Sequence, residues 1–239
     1  MAMPGTGCFV AIHDLLLGRE ADYENWHTHE HMVERLAIPG FLRGLRYRSL
    51  TDAPRLCTIY QVESLATLTS AAYLERLNNP TPWTTQSVPL AAGMQKTFCT
   101  VVSSHGHGVG GYLGVAQLAP NLGEDKRLSG WLSGDILPKL SSQAGLCGAH
   151  HLIGDRAASQ TKAKERELRD EPATVADWIV LIEGYDRPSV QNALSTLGGP
   201  KGFAANGGNE RHVCSLYNLD FALEEREAKA IWEKPEKHS

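Results

Sequence analysis

The chain has 239 residues, of which 42% are hydrophobic, and its 23 basic and 27 acidic side chains give a net charge of −4. This is globular composition, with enough apolar residues for one large core or two small ones, and no basic cluster could neutralise a row of phosphates, so we expect no nucleic-acid partner. No apolar run reaches the roughly 20 residues that span a bilayer, and no basic segment precedes the first apolar stretch, so we predict a cytoplasmic protein without a membrane partner.

The first half of the chain alternates between strand and helix patterns. Apolar residues at alternate positions predict strands at 8–17, 40–49, 55–64 and 94–104, with TDAP at 51–54 joining the second and third. Apolar residues spaced three and four apart predict helices at 19–37 and 65–77. The order of elements is therefore β-α-β-β-α-β.

The second half repeats this order after the glycine-rich stretch SSHGHGVGG at 103–111, which we interpret as a hinge. Strands are predicted at 111–120, 145–154, 177–186 and 211–221, and helices at 124–143 and 189–197. Gly40 and Gly145 begin matching segments, and 145 minus 40 gives an offset of 105 residues. The halves are thus expected to share one architecture.

A β-α-β-β-α-β unit forms a four-stranded antiparallel sheet with both helices on one face, which leaves the other face apolar and uncovered. Two such units bury these faces against each other. We therefore predict an α+β fold in which two fused ferredoxin-like repeats, residues 1–104 and 105–222, form an intramolecular dimeric α/β barrel. Residues 223–239 form a charged tail, and the outer helices leave a homodimer possible.

The helix at 19–37 carries the main functional candidates in WHTHEHMVER. At about 100° per residue, Tyr23, Trp26, Val33 and Leu36 form one apolar stripe, and Glu30 borders it beside Trp26. On the adjoining flank lie His27, His31 and Glu34. This flank is either a solvated helix face or an acid/base site. A third interpretation is zinc, because His27 to His31 matches H-x-x-E-H, but no third ligand is evident downstream.

The stretch DYENWHTHEHMVERLAIPGFLRGLRYRS resembles the EthD-like dimeric α/β-barrel proteins through Glu30-His31, Glu34-Arg35 and Pro39-Gly40-Phe41. The resemblance covers residues 8–102. At the positions of His27 and Thr28 such relatives more often have tyrosine and aspartate, so this chain departs from the family pattern at these two positions. The resemblance implies a pocket for small, often aromatic-derived molecules, with isomerases, cofactor-free quinone-forming monooxygenases and haem-degrading oxygenases among proteins of this fold.

From these residues we predict an isomerase or lyase that uses no metal or cofactor and acts on a small hydrophobic or aromatic-derived substrate. His31 is the expected acid/base, because an imidazole with a pKa near 6.5 can take and give a proton at neutral pH, and Glu34 or Glu30 orients it. Arg46 binds an anionic group or the Glu30 carboxylate. The alternatives are a cofactor-free or haem-dependent monooxygenase and a non-catalytic binding or stress-response protein.

Further candidates lie outside this helix. His13 points to the same side of its strand as Phe9, either as a core histidine or as a pocket base. Tyr60 and Trp26 are expected to wall the pocket, and His151 stands where Arg46 stands in the first half. The charged connection at 161–172 is expected to be a solvated loop; the alternative is a helical turn or a flap over a pocket, in which Lys162, Lys164, Arg166 and Arg169 could receive a carboxylate. We expect the five cysteines to be buried free thiols.

Overall fold

The computed structural model describes residues 3–51, 54–169 and 172–233. Its centre is a closed barrel of eight strands, surrounded by helices on the outside. The strands are β1 (Gly7–Leu15), β2 (Phe41–Ser49), β3 (Leu56–Val62), β4 (Ala91–Gly106), β5 (Tyr112–Leu118), β6 (Leu146–Gly154), β7 (Trp178–Gly184) and β8 (Val213–Glu224).

Eight helices are described. Helix α1 runs through Glu20–Trp26, a π-helical turn at His27–His31, and Met32–Leu36, and α4 runs likewise through Asp125–Trp131, Leu132–Ile136 and Leu137–Ser141. The others are α2 (Ala71–Asn78), α3 (Pro82–Ser87), α5 (Arg156–Ser159), α6 (Lys164–Glu167), α7 (Arg187–Gly198) and α8 (Glu225–Trp232), with 3₁₀ turns at Leu65–Thr69, Val88–Leu90 and Ala204–Asn206.

The two halves of the chain interlock in the barrel. The strands follow one another around the ring as β1-β3-β2-β8-β5-β7-β6-β4, and all neighbours are antiparallel. The two longest strands cross between the halves: β4 pairs first with β1 and then with β6, and β8 pairs first with β5 and then with β2. Closure leaves no sheet edge with unpaired backbone groups.

Three cores follow from the alternation of side chains along the strands. Inward residues such as Val10, Leu45 and Leu181 fill the barrel interior. Outward residues of the first half pack under α1 and α2, and those of the second half pack under α4 and α7. The prediction of an α+β fold with helices on one face of each sheet and an apolar opposite face is confirmed.

Helices α1 and α4 are built alike. Their π-helical turns begin at His27 and Leu132, and 132 minus 27 is again 105. Each helix ends in a turn at a glycine with φ near +90°, namely +89° at Gly40 and +87° at Gly145. A side chain is disfavoured in that conformation, which explains why glycine recurs at this offset.

Several predictions need correction. The stretch 103–111 is not a hinge in its first part, because Ser103 to Gly106 continue β4 and pair with β6. Cys214 is exposed rather than buried. Parts of the predicted 51–54 turn, of the 161–172 connection and of the tail, namely residues 52–53, 170–171 and 234–239, lie outside the described residues. No described helix is both long and apolar enough to cross a bilayer.

Candidate functional site

A polar cavity lies in the first half between α1 and the outer face of the sheet. Its empty volume is about 580 Å³, part of which is open to solvent. Strands β1, β3 and β4 form its floor, and α1 and α2 form its walls. The segment around α6, which comes from the second half, closes it. The lining includes Phe9, His13, Tyr23, Trp26, His27, His31, Arg35, Thr58, Tyr60, Tyr73, Lys96, Glu165, Arg166 and Arg169.

Five side-chain atoms of the described residues that line this cavity are buried without a hydrogen-bond partner. They are Nδ1 of His31, Oγ1 of Thr58, the hydroxyl of Tyr60, Nη2 of Arg166 and Nε of Arg169. Buried polar atoms are nearly always hydrogen-bonded, because an unpaired one loses its water without replacement. Their convergence on one space indicates that the cavity is built to receive a partner that can donate and accept hydrogen bonds.

The three histidines of the cavity are uncharged at neutral pH. Burial lowers the pKa of His13 to about 4, and its ring bridges the carbonyl oxygen of Asp14 at 2.9 Å and the hydroxyl of Tyr23 at 3.1 Å. Burial, with the nearby Arg46 and Arg35 guanidinium groups respectively, holds the pKa of His27 and of His31 well below 6.5. The expectation of a His31 pKa near 6.5 is therefore wrong.

The predicted partners of His31 are engaged elsewhere. Oε1 of Glu30 accepts hydrogen bonds from the Trp26 indole at 3.1 Å and from the hydroxyls of Thr81 at 2.6 Å and Thr84 at 3.0 Å. This carboxylate therefore ties α1 to the start of α3. The described contacts include no hydrogen bond between His31 and Glu30 or Glu34. The ring of His31 instead lies on Trp26, with 4.4 Å between centroids.

Glu34 belongs to a buried ion-pair network at the rim of the cavity. Arg35 donates to Glu34 at 3.2 Å and also to Glu165 of α6. Arg76 lies 3.9 Å from the other oxygen of Glu34. Burial raises the pKa of Glu34 against the effect of Arg35. The network joins α1 to the segment from the second half and so fixes the closure of the cavity.

Arg46 does not line the cavity. Its guanidinium donates to Asp220 of β8 at 2.7 Å, to the Thr28 hydroxyl at 3.0 Å and to Nδ1 of His27 at 3.3 Å. The predicted pairing with Glu30 is not formed. Arg46 instead holds the π-helical turn of α1 against the sheet and fixes His27 as an acceptor at Nδ1.

Sequence reasoning missed Lys96, which lies in the cavity floor and is 5% exposed. Burial, together with the charges of Arg166 and Arg169, lowers the pKa of its ammonium group to about 6. A signal was present, because Lys96 stands between Met94 and Phe98 on the apolar side of a strand. The expectation of a solvated loop at 161–172 needs correction, because Arg166 and Arg169 of this connection line the cavity, whereas Lys162 and Lys164 do not line it.

The second half provides an internal comparison, because β1–β3 and β5–β7 pair in the same register. Ala11 faces Thr58 as Ala116 faces Val180, and Phe9 faces Tyr60 as Gly114 faces Ile182. With these registers and the 105-residue offset, seven polar or aromatic residues of the cavity match aliphatic residues of the second half. The pairs are His13 with Leu118, Tyr23 with Leu128, His27 with Leu132, His31 with Ile136, Arg35 with Leu140, Thr58 with Val180, and Tyr60 with Ile182.

These aliphatic residues pack into the core under α4 and α7. His151 of the second half lies at the position that matches Arg46. Its Nδ1 is hydrogen-bonded to the Ser133 hydroxyl at 3.4 Å, just as Arg46 is hydrogen-bonded to the Thr28 hydroxyl in the first half. It packs on Trp178 with 4.6 Å between ring centroids, and burial lowers its pKa to about 4. The structure therefore does not bring His151 into the cavity with the other candidates.

Comparison with solved structures agrees with this architecture. An anthrone oxidase-like protein superposes with a TM-score of 0.61 at 9% identity, over 94% of this chain and 96% of that chain. The chain has a dimeric α/β-barrel fold. Two further solved structures share the barrel. A candidate monooxygenase from Lactobacillus acidophilus superposes with a TM-score of 0.58 at 8% identity, over 92% of this chain and 97% of that chain. A candidate chlorite dismutase superposes with a TM-score of 0.54 at 12% identity, over 94% of this chain and 96% of that chain. No family model and no curated protein sequence matches the chain.

The isomerase or lyase predicted from the sequence is corrected by this comparison. The three similar barrels are named for oxidation, oxygenation and chlorite dismutation, and the predicted alternative of an oxygenase agrees with them better. The predicted orientation of His31 by a glutamate is not formed either, since the described contacts include no hydrogen bond from His31 to Glu30 or Glu34. At these identities the likeness concerns the fold, so the reaction must be argued from the cavity.

Among the described histidines that line the cavity, His31 has a buried ring nitrogen without a hydrogen-bond partner, so it is the candidate ligand for a haem iron there. Of the histidines, His13 has both nitrogens engaged, and Nδ1 of His27 accepts from Arg46. Among the described residues, no group of three or more histidine, cysteine, aspartate or glutamate side chains is placed to hold a metal ion.

Proposed function

We propose that this protein is an oxygenase that uses no bound cofactor and oxidises a small aromatic or enolisable substrate in the first-half cavity. The observation that carries the proposal is the contrast between the halves. Seven polar or aromatic residues, six of them buried and His31 half-buried, line the cavity, whereas aliphatic residues fill the matching space in the second half. Since the same fold packs with aliphatic residues at these positions, folding alone does not require the polar ones.

In such a reaction the substrate supplies all the electrons. A methylene or aromatic C–H next to an acidic hydroxyl or carbonyl group reacts with O₂ to give a carbonyl group and water, so that one O₂ takes up four electrons from one substrate. Anthrone plus O₂ gives anthraquinone plus water, and 1-naphthol plus O₂ gives 1,4-naphthoquinone plus water. The first step is removal of a proton, which makes the substrate electron-rich enough to react with O₂.

His31 is the proposed base. His31 lines the cavity, and its Nδ1 has no described hydrogen-bond partner, so this nitrogen is free to take the proton from the substrate. The Tyr60 hydroxyl and the Nε–H of Arg169 are donors for the oxyanion that forms, since buried donors without a partner need no reorganisation to bind it. Trp26 and Phe9 supply apolar walls for a flat ring. His13 positions Tyr23 through its hydrogen bond.

The finer features of the fold belong to the same proposal. We propose that residues 1–104 and 105–222 are two ferredoxin-like repeats, supported by the offset of 105 residues between their π-helical turns. We also propose kinship of residues 8–102 with the EthD-like proteins, supported by Glu30-His31 and Pro39-Gly40-Phe41 in the sequence. The partner in this proposal is a small molecule, and the outer helices leave room for a homodimer.

The proposal is tested by oxygen consumption with 1-naphthol and anthrone at pH 7.5. We expect consumption above the uncatalysed rate, with one O₂ used per quinone formed and no hydrogen peroxide released. His31→Ile, which introduces the residue found at the matching position of the second half, should reduce turnover by roughly 10²-fold or more, the usual range for loss of a general base.

His29→Ala is the matched control, because His29 is an exposed histidine in the same helical turn. It should leave turnover unchanged, and circular dichroism should show both variants folded. If neither substrate is oxidised faster than in buffer, or if His31→Ile retains full turnover, the proposed reaction or its base is wrong. Tight binding of 1-naphthol without oxidation would instead indicate a non-catalytic binding protein.

A further inference from the structure

We propose that the natural ligand of the cavity is an organic anion, an aromatic or unsaturated carboxylate, whose acidic group binds among Lys96, Arg166 and Arg169. This deepens the proposed function by naming the substrate class of the same site. The inference rests on two observations, namely that these residues stand between two cavities and that Arg166 and Arg169 have no acidic partner among the described residues; the expected response of Lys96 to an anion supplies the test.

The three cationic residues separate the inner cavity from a second pocket nearer the surface. This outer pocket has about 960 Å³ of empty volume and is formed largely by the connection between β6 and β7. Lys96, Arg166 and Arg169 belong to the lining of both spaces. A molecule that moves from the outer pocket to the aromatic walls of the inner cavity therefore passes these side chains.

The positive charges of Arg166 and Arg169 have no described acidic partner. Glu165, which directly precedes Arg166, is bonded to Arg35. No described carboxylate lies within 4 Å of either guanidinium among the ion pairs of residues 3–51, 54–169 and 172–233. Nε of Arg169 is buried without a hydrogen bond, and Arg166 lies over the Phe98 ring at 5.3 Å. Buried guanidinium groups are stable when they meet an anion, and carboxylates fit them in bidentate geometry.

The cationic segment occurs once in the molecule. Between β6 and β7 the chain runs from residue 155 to 177 and carries α5 and α6, whereas the matching connection between β2 and β3 runs only from 50 to 55. The longer connection crosses the barrel to the polar cavity of the other half. At the strand position that corresponds to Lys96, where β5 pairs with β8, the second half has Cys214. The long connection between β6 and β7 and Lys96 thus both lie at the polar cavity and have no counterpart at the matching aliphatic core.

Lys96 provides a measurable response to anion binding. The charged groups that face it are Arg166 and Arg169, which disfavour its ammonium form, and Glu165, which favours it. With a pKa of about 6, Lys96 is mostly neutral at pH 7.5. A carboxylate placed between it and the two arginines offsets their repulsion and favours the charged form. Binding of the anion is therefore accompanied by uptake of a proton from solvent.

The experiment compares acids with neutral amides of the same shape by isothermal titration calorimetry at pH 7.5. The probes are benzoate against benzamide and 2-naphthoate against 2-naphthamide. We expect each acid to bind at least tenfold more tightly than its amide, since charge-assisted hydrogen bonds are about twice as strong as neutral ones. Titrations in buffers of different ionisation enthalpy should show uptake of up to one proton for each acid bound.

Arg169→Gln should remove the preference for the acid, and Lys96→Met should remove the proton uptake. The matched control is Arg156→Gln, because Arg156 lies in the same connection but is exposed and pairs with Asp177. It should change neither quantity. Equal affinity for acid and amide, no detectable binding of either acid, or an unchanged preference in Arg169→Gln would each overturn the inference.

This outcome is separable from that of the proposed oxygenase. Binding is measured without O₂ and without turnover, so a preference for acids stands even if no substrate is oxidised. Conversely, oxidation of neutral 1-naphthol together with equal binding of acid and amide supports the oxygenase and removes the anionic substrate class.

Discussion

At the level of single residues, burial changes the chemistry of the groups around the cavity more than any specific partner does. His13, His27 and His31 are all neutral at pH 7 because the space around them disfavours their charged form. In the proposed reaction a neutral imidazole accepts a proton, and the unpartnered groups of Tyr60 and Arg169 stabilise a negative oxygen. That combination suits a substrate that becomes an anion during reaction.

Lys96 should reduce the stability of the free protein. Its pKa is about 6 in the folded chain and near 10.5 in the unfolded chain, so between these values the unfolded state binds one more proton. The resulting loss is greatest at and below pH 6 and fades as pH rises toward 10.5. At pH 7.5 the difference of about three pKa units corresponds to at most about 4 kcal/mol, at roughly 1.4 kcal/mol per unit.

Lys96→Met should therefore raise the free energy of unfolding at pH 7.5 by on the order of 2 to 4 kcal/mol while weakening anion binding. Urea denaturation at pH 6.5 and 9.5 measures this, and the gain should be larger at pH 6.5. Lys126→Met, at an exposed position on α4, is the control and should alter stability by less than about 0.5 kcal/mol at both pH values. A gain independent of pH would show that the effect is packing and not charge.

At the level of elements, α1 shows what the sequence predicts and what it does not. The apolar stripe of Tyr23, Trp26, Val33 and Leu36 follows from helical periodicity alone, and all four residues are buried as predicted. The partners of the polar flank do not follow from periodicity. Arg46 meets Asp220, a residue 174 positions away, because β8 crosses to the first half. Such a contact depends on strand order, which local sequence patterns do not encode.

Arg46 should matter for the position of α1 and not for direct contact with substrate. Arg46→Met removes the hydrogen bonds to Asp220, Thr28 and His27 and leaves a half-buried aspartate without its principal partner. We expect the free energy of unfolding to fall by about 2 kcal/mol, less than for a fully buried pair because Asp220 retains some contact with solvent. Chemical denaturation at pH 7.5 measures the loss.

The matched control is Arg48→Met, two positions along the same strand. Arg48 also pairs with Asp220, but it is 44% exposed, so its removal should cost about 0 to 1 kcal/mol. Equal losses in the two variants would show that Arg46 is an ordinary surface ion pair.

At the level of the whole molecule, the fold is duplicated and the cavity is not. The repeated order of elements and the shared glycines at Gly40 and Gly145 could be predicted from sequence, because both reflect local turns and periodicity. The position of the cavity could not be predicted fully. The segment that closes the cavity belongs to the connection between β6 and β7. It lies beside the first half because the strands of the two halves alternate in one barrel. Lys96 was missed because one lysine in an apolar strand shows its partners only in three dimensions.

The interlocked barrel makes the two halves unfold together. Strands β4 and β8 each pair with a strand of the opposite half, and the interior core contains residues of both, such as Val10 and Leu181. Opening either half would expose this core and the unpaired edges of the crossing strands, so partly folded states are unfavourable. We expect one cooperative transition. Trp26 reports on the first half and Trp178 on the second.

Single-tryptophan variants that retain either Trp26 or Trp178, with phenylalanine at the other four tryptophans, test this directly. Each should show the same urea midpoint by fluorescence as by far-ultraviolet circular dichroism of the same variant, because coincident probes are the mark of two-state unfolding. A lower urea midpoint for Trp26 fluorescence, without the same shift for Trp178, would mean that the first half unfolds independently of the second. In that case ligand entry could proceed by local unfolding of the first half and would not require passage past the cationic residues of the outer pocket.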